Sequence, residues 1–115
     1  MFIEKDGQIA TKAIGMSYYG ERLKEKLISR SIDFIPAGSV VVYKSGLKRI
    51  LMFQILEDLK IDKLNETSLI GYEPGSITYF DDKDSFIYKI PTFRFRDIRL
   101  PLESELTLYS VRRTV

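Results

Sequence analysis

Four consecutive residues, Val40-Val41-Val42-Tyr43, restrict this chain more than any other stretch. Branching at Cβ favours an extended backbone, because such side chains lose little freedom on a pleated surface. Successive residues of a strand point to opposite faces, so a run with no polar member must be covered above and below. Pro36 and Gly38 break the chain before this run, and Lys44-Ser45-Gly46 breaks it after. The segment therefore reads as an internal strand.

Upstream, Ser17 is positioned to cap a helix whose inner stripe is Tyr19, Leu23 and Leu27 with Ile28, with Arg22, Lys24, Glu25 and Lys26 on the other side. Downstream, LKRILMFQILEDLKID at 47–62 is read as a second helix. At 100° per residue Leu47, Leu51, Met52, Ile55, Leu56 and Leu59 fill half of its wheel. Ile50 and Phe53 fall on the other half, among Arg49, Gln54, Glu57 and Lys60. A helix apolar beyond one stripe is buried on more than one side: either the sheet and the first helix both pack on it, or Ile50 and Phe53 form a homodimer interface with a second subunit.

Residues 2–14 read as a hairpin around Asp6-Gly7, and 62–76 as turn-rich. SITYF and SFIYKI flank the loop DDKD, and TFRFRDIRL and SELTLYSVRR supply two more strands. With no repeat or linker, the expectation is one α+β domain over 1–115. It has an antiparallel sheet of about five strands with two helices packed on one face.

Composition narrows the chemistry. There is no Cys and no His, which removes disulfides, thiolate nucleophiles, the usual general base and the commonest metal ligands. These gaps weigh against an enzyme; no catalytic residue is nominated and no cofactor is implied. Asp81, Asp82 and Asp84 could hold a divalent cation in a small metal-dependent nuclease. They suit a polar hairpin loop better, because Asp favours turns. No apolar run approaches the roughly 20 residues of a membrane span, and MFIEKDGQ lacks the apolar core of a signal peptide. The expectation is a cytoplasmic protein with no membrane partner. Fourteen isoleucines without Cys or Trp suit an AT-rich or thermophilic genome, including that of a virus or plasmid.

A phase slip lies in PTFRFRDIRLP, 91–101. Strict alternation from Phe93 and Phe95 puts Asp97 and Arg99 among the aromatics, which costs several kcal/mol unless they are paired. One extra residue at Arg96–Asp97, a β-bulge, keeps Phe93, Phe95, Ile98 and Leu100 inward and turns Arg94, Arg96 and Arg99 outward. Such a guanidinium row can fork onto phosphates, with Tyr79, Phe80, Tyr88 and Tyr109 as stacking platforms. The competing view is a solvated sheet face, partly neutralised by Asp97 and Glu103. A second cationic group, Lys44, Lys48 and Arg49, stands at the start of the expected second helix, where free N–H groups attract anions. Arg112 and Arg113 lie near the end of the chain.

The leading functional expectation is a non-catalytic module touching DNA or RNA through Arg94, Arg96 and Arg99, aided by Lys44, Lys48, Arg49, Arg112 and Arg113. The alternative is a self-associating interaction or adaptor protein with no nucleic-acid ligand, using Ile50 and Phe53 as a homodimer. The nuclease ranks third.

Overall fold

A computed structural model describes residues 18–45, 49–65, 70–73, 75–79 and 97–113. Its elements run α1 (Gly20–Ser29), β1 (Phe34–Ile35), β2 (Val40–Ser45), β3 (Arg49–Gln54), β4 (Leu59–Lys60), a 3-10 segment (Ile61–Asn65), β5 (Thr78–Tyr79), β6 (Ile98–Arg99) and α2 (Glu103–Arg113). The fold is α+β, and every pairing among the described strands is antiparallel: a four-stranded sheet in the order β5-β3-β2-β6, and a separate two-stranded ribbon of β1 and β4. No helix among the described residues is long and apolar enough to cross a membrane.

Leu23 and Leu27 are fully buried beneath α1, as the helical spacing requires. Ile28, assigned to the same stripe, is instead 55% exposed, because one further residue turns it about 100° away from Leu27. Ser17, the expected cap, lies outside the described residues. The structure places Tyr19 at the N-cap in an extended conformation. The helix stops in a Schellman turn. Ser31 adopts φ 59°, the Ile32 N–H donates to the Leu27 carbonyl at 2.9 Å, and the Ser31 N–H donates to that of Ile28 at 3.0 Å. These bonds satisfy carbonyls that the helix end would leave open, and Ile32 packs beside Leu27 in the core.

The Val-rich segment is the internal strand that its composition demands. Among the described residues of 47–62, however, there is no α-helix: Arg49–Gln54 is β3, paired along its whole length with β2 from Val40↔Gln54 to Ser45↔Arg49, and only Ile61 and Asp62 enter a 3-10 segment. An apolar run with no polar face fits a strand covered on both sides as well as a buried helix, and hairpin pairing with β2 decides for the strand. The reverse exchange occurs at the C-terminus, where SELTLYSVRR forms α2 rather than a strand. Hairpin 2–14 and strand SFIYKI lie outside the described residues.

Alternation in β2 and β3 sorts the core into two layers. Val41, Leu51, Phe53 and Ile98 join Leu23 and Leu27 of α1, with Tyr43 packed against them. Val40, Val42 and Met52 join Tyr109 of α2, with Ile50 and Leu106 packed against them. The two helices thus cover opposite faces of the sheet, not one face. This arrangement satisfies the requirement set by Val40-Val41-Val42-Tyr43, since neither side of β2 could be left wet.

Candidate functional site

The arginine segment is described only from Asp97 onward; Arg94, Arg96 and the expected bulge lie outside the described residues. Ile98 and Leu100 are fully buried, and Arg99 points to the opposite face, as the phase slip implies. That face is occupied by α2. The Arg99 guanidinium forks onto Glu105, Nη1 to Oε1 at 2.8 Å and Nη2 to Oε2 at 2.7 Å. Nη1 also donates to the Leu100 carbonyl at 3.2 Å.

Glu105 Oε1 in turn accepts the Leu102 N–H at 2.9 Å, the acidic half of a capping box at the start of α2. One carboxylate therefore caps α2 and ties it to β6. The pair is largely covered, its side chains 11% and 24% exposed. Hydrogen bonding to Glu105 holds the Arg99 pKa above its ordinary value, against the opposing effect of burial; the Tyr19 hydroxyl makes a smaller contribution. Burial pushes the Glu105 carboxyl up, but the Arg99 guanidinium and the Leu102 N–H pull it further down, leaving it below its ordinary value. The Arg99 donors are thus engaged within the fold. The neutralising partner is Glu105, not a cross-strand Asp97 or Glu103.

The other cationic candidates do not meet at a helix start. Lys44 is exposed on β2, Arg49 begins β3, and Lys48 lies outside the described residues. Arg112 and Arg113 form the last two positions of α2. Tyr109, proposed as a stacking platform, is 4% exposed, and its hydroxyl donates to the Ser76 carbonyl at 2.7 Å. Tyr79 stands in β5, while Phe80, Tyr88 and the loop Asp81, Asp82 and Asp84 lie outside the described residues. Of the expected interface pair, Ile50 is half-buried against the α2 layer. Phe53 has no exposed surface, its ring meeting Tyr72 edge-on at 6.0 Å. Phe53 is a core residue and cannot contact a second subunit without the sheet opening.

A different surface is left open. After the Schellman turn the chain enters the β1–β4 ribbon in the register Phe34↔Lys60 and Ile35↔Leu59. Ile35 and Leu59 point into the core, so Phe34 and Lys60 share the outward face. The Ile61 N–H donates to the Asp33 carbonyl at 3.3 Å, and Asp58 Oδ1 accepts the Ala37 N–H at 2.7 Å. These bonds hold Asp33, Phe34, Asp58, Lys60, Ile61 and Asp62 around an open concavity of about 430 Å³.

Phe34 is 45% exposed. It is the one aromatic in the exposed class among the described side chains. Asp33, Asp58 and Asp62 are among the lining residues, but among the described residues no three acidic side chains gather closely enough to hold a metal ion. The lining residues combine an apolar ring with acidic side chains and one lysine. Residue-type patterns do not reveal it, because Phe34 sits in the unremarkable string Asp33-Phe34-Ile35. The signal that could have found it is the polar Lys60 opposite.

Compared with protein-family models, with curated proteins and with solved structures, the chain matches none.

Proposed function

We propose that this chain is a non-catalytic protein-interaction module, an adaptor that engages its partner through the outward face of the β1–β4 ribbon. The observation that carries this reading is Phe34, an exposed aromatic at a 430 Å³ concavity. Fully burying a Phe side chain is worth about 1.5–3 kcal/mol, so its exposed part leaves roughly 1 kcal/mol unrealised until a partner covers it. Rigid aromatic anchors beside a pocket are the usual energetic centres of protein interfaces.

Phe34 can be altered without opening the core, which makes the test clean. Phe34→Asp leaves the circular dichroism spectrum and urea midpoint close to wild type. Used as bait against the partner proteome, it loses the proteins that wild type and an Arg94→Glu/Arg96→Glu variant both retain. Identical retention by wild type and Phe34→Asp overturns the proposal. The nucleic-acid reading predicts another pattern: labelled single-stranded DNA or RNA binds with affinity falling steeply with salt and disappears with Arg94→Glu/Arg96→Glu. Light scattering gives the third arm. A species of twice 13.4 kDa that Phe34→Asp returns to monomer identifies a second copy as the partner.

A further inference from the structure

We infer that the partner presents an arginine flanked by apolar side chains to the Phe34 concavity; this rests on the interaction-module reading and specifies the chemistry of its ligand. The residues around the concavity include three aspartates, Asp33, Asp58 and Asp62, and one lysine, Lys60, so the local formal charge is −2. The remaining surface comes from Phe34 and Ile61. An acidic side chain has no counter-charge here except Lys60, and a purely apolar one leaves the carboxylates partly desolvated and unpaired.

A guanidinium answers both features. Its planar face stacks on an aromatic ring while its edge donates forked hydrogen bonds to a carboxylate, and it sheds water more easily than an ammonium does. Its aliphatic stem adds apolar contact. Asp58 Oδ1 already accepts the Ala37 N–H, which fixes the orientation of that carboxylate. Lys60 stands directly across the ribbon from Phe34 and repels the incoming charge. It therefore limits affinity and disfavours weaker cationic ligands.

The probe is a synthetic peptide, acetyl-Ala-Leu-Arg-Leu-Ala-amide, titrated into the 15N-labelled full chain with amide shifts as the readout. The expected result is saturable shifts centred on 33–35 and 58–62. Affinity drops at least fivefold when citrulline, neutral and of the same shape, replaces the arginine, and also drops in Asp33→Asn/Asp62→Asn. Lys60→Gln raises affinity at least twofold by removing the repelling charge, a gain that a merely damaged fold would not produce. Equal binding of the arginine and citrulline peptides, shifts centred elsewhere, or no saturable shift overturns the inference. The interaction-module reading has a separate fate: it stands if Phe34→Asp bait still loses a partner, and that partner then docks by other chemistry.

Discussion

Glu105 makes three hydrogen bonds, two from the Arg99 guanidinium and one from the Leu102 N–H, and its removal gives the sharpest test of how α2 is held. Glu105→Ala leaves a guanidinium only 11% exposed without its counter-charge and uncaps the helix. Breaking a fully buried pair costs about 3–5 kcal/mol. Solvent reaches part of this one, so the discounted loss is about 2–3 kcal/mol. For a chain of this size that corresponds to a fall in Tm of roughly 10 °C.

The double variant Arg99→Met/Glu105→Leu removes both charges and fills the space with apolar atoms. It should lie within about 1 kcal/mol of wild type. Urea titrations of wild type, Glu105→Ala, Arg99→Ala and the Ala pair give a double-mutant cycle with an expected coupling of about 2 kcal/mol. The pH dependence has a definite sign. The folded Glu105 pKa lies below its ordinary 4.5, so its stabilisation is fully present above the unfolded value and is lost as pH falls through the folded one. The stability of wild type relative to Arg99→Met/Glu105→Leu therefore falls only in acid. A coupling below about 0.5 kcal/mol, or an advantage that instead fades on the alkaline side, refutes the account of this pair as the tie between β6 and α2.

Ser31→Gly should raise the urea midpoint, by about 0.5–1 kcal/mol in stability, because a left-handed φ strains any residue with a Cβ; a lower midpoint contradicts the Schellman assignment. Tyr109→Phe removes one hydrogen bond to the carbonyl of a fully buried Ser76 and should cost about 1–2 kcal/mol in thermal or chemical denaturation. An unchanged midpoint would mean that the phenol does not anchor the helix.

The parts of the fold that were legible in the sequence are those with one unambiguous period. Leu23 and Leu27, four residues apart among charges, could only be the inner side of a helix, and the valine run could only be a doubly covered strand. β3 carries the same all-round apolarity as β2, and its Leu51 and Met52 are equally buried, so no period distinguishes strand from helix there. In α2, Thr107, Tyr109 and Val111 mimic a strand by alternation. The acidic Glu103 and Glu105 at its start and Arg112 and Arg113 at its end carry the helical signal through the macrodipole. The fate of Arg99 was hidden for a related reason. Its partner lies six residues on, beyond Pro101, and reaches it only when the following segment coils. The exposure of Phe34 is not legible in the sequence, because it depends on register with β4 rather than on local pattern.

The two coverings of the sheet are unequal. Among the described residues, twelve buried side chains make up the layer under α1 and four make up the layer under α2. Cooperative units open in the order of what they bury, so the carboxyl-terminal helix should detach first, with the α1 half still folded. Amide protons of 106–111 would then exchange with deuterium ahead of those in β2 and β3, and the valine strand would be briefly bare on one side. That transient state, rather than the native molecule, would be the one prone to sticking to its neighbours.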